Sequence, residues 1–127
     1  MNKFTEKAKK VLGGSEVIAG LEKVENDLLI ATYPDGITIT GADMLITKDE
    51  KTGEDKTFVA YTFAEDPTRY ACGGKVLTDL FTTLMEGYPD AVQFSAALRQ
   101  EGGLKVKLQK KKSRSNGQPY TAVEIVD

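Results

Sequence analysis

The chain has 127 residues, of which 40% are hydrophobic and 28% are charged, a composition typical of one soluble globular domain. No apolar run approaches the roughly 20 residues that a membrane helix needs. The first ten residues, MNKFTEKAKK, lack the unbroken apolar stretch of a secretory signal. A single cysteine, Cys72, cannot form an intrachain disulfide and fits a reducing compartment. We therefore expect a cytoplasmic protein that does not associate with membranes.

The sequence contains no histidine. This absence excludes the Ser-His-Asp triad, the Cys-His pair and zinc sites with histidine ligands, and one cysteine excludes four-cysteine zinc sites. We therefore expect no catalytic residues, no metal site and no cofactor. A binding or structural protein is the favoured class, and an enzyme that uses carboxylates and lysines is the lesser alternative.

The net charge of −2 conceals an asymmetry along the chain. Residues 105–127 contain six basic and two acidic side chains, a charge of +4, so residues 1–104 carry −6. A basic segment on an acidic body is typical of an anion-binding surface. The alternative is a lysine-rich strand pair that keeps an exposed sheet edge soluble.

The first 33 residues carry patterns that favour different secondary structures. Residues 3–12 are predicted to form a helix, because their apolar residues recur at helical spacing and Gly13-Gly14 follows. Between residues 16 and 33, helical spacing comes first, whereas LLIAT at 28–32 favours a strand. We assign 1–33 to an N-terminal helical extension packed on the domain formed by 34–127. The alternative for the first helix is an arm that docks on a partner.

Three strands are predicted next, over residues 37–47, 56–65 and 68–72. The first follows a turn and alternates as ITIT, with Gly41 as a candidate bulge. The second has apolar side chains on both faces, which is typical of a strand in the middle of a curved sheet. Asp66-Pro67 marks the turn between the second strand and the third.

Two helices and a hairpin complete the chain. Apolar residues at helical spacing predict a helix from Lys75, and Pro89-Asp90 opens a second one that ends near Gln100. Asn116-Gly117 favours a two-residue type I′ turn in the terminal hairpin.

That turn fixes a register in which paired residue numbers sum to 233. It places Leu108 opposite Ile125, Gln109 opposite Glu124, Lys111 opposite Ala122 and Ser113 opposite Tyr120. Tyr120 is then expected on the same face as Lys107, Gln109 and Lys111.

The order strand, strand, strand, helix, strand, strand predicts a mainly β protein with helices, and it is the plan of an OB-fold-like five-stranded barrel. An unrelated α+β fold with the same strand count is the alternative. From residue 37 onwards the chain resembles small OB-fold single-stranded DNA-binding proteins of phages and mobile elements. The resemblance rests on FVAYTF, on CGGKVLTDLF and on the hairpin LKVKLQKKKSRSNGQPYTAVEIVD. Bacterial proteins of this type end in a flexible acidic tail, so recruitment of partners through such a tail is not expected here.

This resemblance implies sequence-tolerant binding of single-stranded DNA, with RNA as the alternative polymer, in phage or mobile-element replication or recombination. Such binding uses a basic groove and aromatic platforms on which bases stack. The candidate residues are Phe58, Tyr61, Arg69, Tyr70, Lys75, Lys105, Lys107, Lys110, Lys111, Lys112, Arg114 and Tyr120. Tyr61 is also a candidate for the core, and Tyr120 is the favoured platform. The alternative function is a structural or interaction module, such as an assembly protein of a phage or mobile element, without nucleic-acid affinity. A second copy of the chain, in a homo-oligomer, is a further candidate partner.

Overall fold

The computed structural model describes residues 17–48 and 51–126. The strands of this part of the chain are β1 (Glu22–Lys23), β2 (Ile37–Lys48), β3 (Asp55–Phe63), β4 (Arg69–Cys72), β5 (Leu104–Lys112) and β6 (Pro119–Ile125). Its helices are α1 (Asn26–Thr32), α2 (Lys75–Leu84) and α3 (Ala91–Gln100). The helix predicted over residues 3–12 lies outside the described residues.

The strands form one open mixed sheet in the order β1-β4-β3-β2-β5-β6. The pair β1–β4 is parallel and every other pair is antiparallel. The mainly β class is confirmed, but a closed OB-fold barrel is not. Closure would require β4 to pair with β6, whereas the outer edge of β4 pairs with β1 in the described structure.

Strand β2 bends at the predicted bulge. Its first residues, Ile37 to Ile39, pair with β5, and the pairing with β3 shifts register between Ile39 and Gly41. A Cβ on Gly41 would lie only 3.1 Å from Ser95 Oγ, so the glycine lets α3 approach the bend. The Ala42 N–H donates to Ser95 Oγ (3.1 Å), and that hydroxyl donates to Ala42 O (3.3 Å). Helix α3 thus replaces β5 beside the second half of β2.

The main core lies between the sheet and the three helices. On β3, Val59, Tyr61 and Phe63 point into it and meet Leu77 and Phe81 of α2. A second, smaller cluster lies on the opposite side of the sheet, where Ile18 packs on Leu45 and Ala60. The second half of β3, from Val59 to Phe63, is therefore largely buried on both faces, as its apolar residues predict, and Ala60 to Thr62 have a strand neighbour on each side.

Residues 16–33 were ambiguous between helix and strand, and the strand interpretation of LLIAT is wrong. This segment lies in α1, where only Leu29 is fully buried. A short apolar run does not separate a strand from a helix with one buried contact. The helical spacing between residues 17 and 24 is also not confirmed, since this stretch is a turn followed by β1. Val24 and Leu29 join the main core, so residues 17–33 contribute to the same sheet and core as the rest.

The register of the terminal hairpin differs from the prediction by two residues. The pairs include Leu108 with Val123 and Lys111 with Tyr120, so residue numbers sum to 231. A type I′ turn needs a left-handed backbone at both central residues. Gly117 has φ +68°, but no described residue other than glycine has positive φ, and so Asn116 does not form this turn. A longer loop forms, in which the Gly117 N–H donates to Ser113 O (2.9 Å).

None of the helices in the described ranges 17–48 and 51–126 is long and apolar enough to cross a membrane.

Candidate nucleic-acid interface

The basic residues of the C-terminal segment lie on a two-stranded ribbon. Strand β5 pairs with β2 only through Leu104, Lys105 and Val106. From Lys107 to Lys112 its partner is β6 alone. In this ribbon β5 has no third strand beside it among the described residues, and it carries the four lysines Lys107, Lys110, Lys111 and Lys112.

The two sides of the ribbon differ because alternate residues of a strand point to opposite faces. Val106 and Leu108 are buried in the main core, on the side covered by the helices. Lys110 lies on this same side, and its Nζ is 3.1 Å from Asp27 Oδ1 of α1. We call the opposite side the open face. It is formed by Lys107, Gln109, Lys111, Tyr120, Ala122 and Glu124, and Lys105 extends it on the same side of β5 where that strand pairs with β2.

Tyr120 and Lys111 are direct cross-strand partners on the open face. The tyrosine is 39% exposed and Lys111 is exposed. Directly opposed side chains in antiparallel strands have Cβ atoms about 4.5–5.5 Å apart. The predicted partner of Tyr120 was Ser113, but a shift of two residues preserves the faces. The prediction that Tyr120 shares a face with Lys107 and Lys111 is confirmed.

One carboxylate lies on the open face. Glu124 of β6 is the cross-strand partner of Lys107, so it lowers the positive potential at the end of the ribbon nearest the sheet. The sequence-derived register paired this glutamate with Gln109, which is wrong. At the other end, Lys112 and Arg114 are exposed beside the loop. The positive charge of the ribbon therefore increases toward its tip.

Tyr61 is not available to stack on a base. Its ring is fully buried between the sheet and the helices. The phenol donates to Asn26 Oδ1 (2.6 Å), and Asn26 Nδ2 donates to Cys72 O (2.8 Å). Burial raises the pKa of the Tyr61 phenol far above its usual value, with a smaller contribution from Cys72. The core alternative is the one that the structure supports for this residue.

Phe58 and Tyr70 lie on the same side of the sheet as the open face but are partly covered. Both are half-buried against the cluster formed by Ile18, Leu45 and Ala60. Phe58 was expected to point outward, and it does leave the main core. The segment that contains Ile18 then covers part of it. Local alternation could not reveal this, since Ile18 lies far from β3 and β4 in sequence.

Arg69 and Lys75 lie apart from the open face. Arg69 Nε is 3.5 Å from Asp66 Oδ2. Hydrogen bonds from Thr68 lower the pKa of the Asp66 carboxyl, and Arg69 adds a smaller effect, so this carboxylate stays charged. Lys75 begins α2 on the helix-covered side of the sheet, with its Nζ 3.6 Å from Asp79 Oδ2. Each of these cations has a carboxylate beside it.

The structure therefore places Lys105, Lys107, Lys111 and Tyr120 together, and it separates them from the other predicted residues. Sequence reasoning missed Asp27, which holds Lys110 on the helix side. No local pattern connects α1 to β5. Within residues 17–48 and 51–126, no group of three or more His, Cys, Asp or Glu side chains could hold a metal ion.

Comparisons of this chain with protein-family models, with curated proteins and with solved structures found no match. The candidate interface therefore rests on the chemistry and geometry of its own residues.

Proposed function

We propose that this protein binds single-stranded DNA through the open face of the β5–β6 ribbon, without base specificity and without catalysis. The observation that supports the proposal best is the cross-strand pair of Tyr120 and Lys111, whose side chains are both exposed in the described part of the chain. A tyrosine ring offers a platform to any base, and a neighbouring ammonium group offers a phosphate contact. A role in the replication or recombination of a phage or mobile element is part of this proposal.

The composition of the open face fits a single strand better than a duplex. Stacking on an aromatic side chain requires an unstacked base, and each stack contributes about 1–3 kcal/mol to binding. A duplex hides its base faces and offers only phosphates and groove edges to this surface. Lys105, Lys107 and Lys111 would contribute to both kinds of binding, whereas Tyr120 would contribute only to the first.

We also propose that β2 to β6 form an open variant of the OB plan. The strand order β4-β3-β2-β5-β6 and the bend of β2 at Gly41 support this interpretation. In OB-folds the oligonucleotide contacts the second and third strands and the loops after the first and fourth strands. Here the second and third strands are β3 and β4, whose Phe58 and Tyr70 are partly covered. The proposed interface is therefore displaced onto the terminal hairpin.

Fluorescence anisotropy of a labelled oligo-dT tests this proposal. The protein is titrated at two salt concentrations, with a duplex and an oligo-rU of equal length as comparisons. We expect micromolar or tighter binding to oligo-dT that weakens with salt and exceeds binding to the duplex. Absence of binding at low salt, or a preference for the duplex, would overturn the proposal. The oligo-rU titration decides whether the site accepts RNA as well.

A protein-interaction module is the second candidate. Strand β6 ends the sheet, and its edge residue Ile125 is 49% exposed. Exposed strand edges pair readily with other chains. Light scattering of the pure protein separates the two functions. A stable dimer together with no oligonucleotide binding would support the module and contradict the proposal above.

A further inference from the structure

We infer that an extended single strand runs lengthwise along β5, with its phosphates on Lys105, Lys107 and Lys111 and one base on Tyr120. This inference rests on the proposed function and specifies the form of polynucleotide that the site accepts. The three lysines lie on one strand and one face, at positions separated by two and four residues.

The spacing of these lysines fits consecutive phosphates along a polynucleotide. A β-strand rises about 3.4 Å per residue, so successive side chains on one face of β5 are about 7 Å apart. Nucleotides in a duplex advance about 3.4 Å along the axis, but the backbone also winds around that axis, so neighbouring phosphates are farther apart than this rise. The lysine spacing therefore fits consecutive phosphates of either form, and it is the ring of Tyr120 that favours a strand with unstacked bases. Gln109 occupies the step between Lys107 and Lys111, where its amide can donate hydrogen bonds to a phosphate.

The charges on β6 direct the phosphates toward β5. Glu124 on β6 opposes Lys107 and repels a phosphate that approaches over β6. Tyr120, near the other end of β6, offers a ring rather than a charge. A polynucleotide with its phosphates over β5 and one base turned toward β6 avoids the charge of Glu124 and reaches the ring of Tyr120. A path across the sheet would instead cross β3 and β4, where Ile18 covers the surface.

Lys112 provides a matched control within the same run of lysines. It follows Lys111 directly, is exposed, and points to the opposite side of the ribbon. Lys111→Gln and Lys112→Gln therefore cause the same change in net charge at nearly the same place. Only Lys111→Gln removes a phosphate contact that the inferred path requires. Lys105→Gln tests the other end of the path, because Lys105 lies about 20 Å from Lys111 along β5.

The experiment measures how the affinity for oligo-dT depends on salt, for the full chain and these three variants. Binding to a single strand loses about 0.7 in the slope of log K against log salt for each phosphate contact removed. We expect Lys105→Gln and Lys111→Gln each to lose this amount and Lys112→Gln to keep the full slope. Circular dichroism melting checks that each variant is folded.

A second measurement varies the length of the oligonucleotide. The distance from Lys105 to Lys111 corresponds to about three steps of 7 Å, so about four nucleotides fill the site. We expect the affinity to rise steeply up to that length and then to level off.

The possible outcomes separate the inference from the function beneath it. If the unmodified protein does not bind oligo-dT, the proposed function fails and the inference fails with it. If it binds but Lys111→Gln and Lys112→Gln weaken binding equally, the protein binds by net charge and the path is wrong. If Lys111→Gln lowers the salt slope as expected but Lys105→Gln does not, the polynucleotide crosses the tip of the ribbon. The lengthwise path is then wrong.

Discussion

Strands β3 and β5 are both nine residues long but have different surroundings, and this difference locates the candidate interface. Strand β3 lies between β2 and β4, and apolar clusters cover both of its faces. Strand β5 leaves β2 after Val106 and continues with β6 alone. Aromatic residues on β3 therefore stabilise the fold, whereas on the open face of β5 Lys105 and Lys111 are exposed and Lys107 is half-buried. Residue type alone does not identify a binding surface, because the number of neighbouring elements decides which side chains are exposed.

Tyr61 and Tyr120 show this difference between β3 and the β5–β6 ribbon most directly. Tyr61 of β3 is fully buried, and Tyr120 of β6 is 39% exposed. We expect Tyr61→Ala to lower the free energy of unfolding by about 3–5 kcal/mol, the range for large aromatic residues in cores. Urea denaturation measures the loss. A loss below about 1 kcal/mol would contradict the assignment of Tyr61 to the core.

Tyr120→Ala should have the opposite effect. We expect it to weaken oligo-dT binding by about 1–3 kcal/mol, which is roughly 5-fold to 150-fold, since one stacked base is lost. Stability should change by no more than about 0.5 kcal/mol. Tyr120→Phe is the matched control and should retain binding, because the ring remains. Anisotropy and urea denaturation together check both parts, and equal binding by all three proteins would remove Tyr120 from the interface.

The phenol of Tyr61 contributes separately from its ring. Tyr61→Phe removes the hydrogen bond to Asn26 Oδ1, which is 2.6 Å long. We expect a destabilisation of about 1–3 kcal/mol, because the Asn26 oxygen loses its partner in a partly buried site. Oligo-dT affinity should be unchanged. Urea denaturation measures the destabilisation and anisotropy measures the affinity. A change in affinity without a change in stability would place Tyr61 at the interface.

The pair of Lys110 and Asp27 should have the smallest effect. Both side chains are largely exposed, and their charged atoms are 3.1 Å apart. An exposed ion pair contributes at most about 1 kcal/mol. We expect Asp27→Asn to destabilise the protein by less than that amount, and the loss should shrink as salt is added. Urea titrations at low and high salt measure this difference. A large loss that does not depend on salt would mean that Asp27 has another role.

Much of the secondary structure could be predicted from local patterns. The expected strand at 37–47 is observed at Ile37–Lys48, and the expected second helix is observed at Ala91–Gln100. The N-cap of that helix is Asp90, whose side chain accepts a hydrogen bond from the Gln93 N–H (2.8 Å). Periodicity and capping are local in sequence, and so they can be read without the fold.

The features that could not be predicted depend on contacts between distant segments. Neither the packing of Ile18 against Phe58 and Tyr70 nor the pairing of β1 with β4 could be predicted. The hairpin register failed for a local reason, because Asn116 does not adopt the left-handed backbone that its position suggested. The faces of the hairpin were nevertheless predicted, since a shift of two residues leaves alternation intact.

Photo-crosslinking with oligo-dT that contains 5-iododeoxyuridine tests the central claim most directly. This base forms covalent bonds with an aromatic side chain that stacks on it, and mass spectrometry of the digested complex identifies the residue. The chain has five tyrosines and five phenylalanines, so the outcome discriminates between surfaces. A crosslink at Tyr120 that salt suppresses is the result we predict. A crosslink at Phe58 or Tyr70 instead would place the single strand on β3 and β4 and contradict the assignment of the interface to the β5–β6 ribbon.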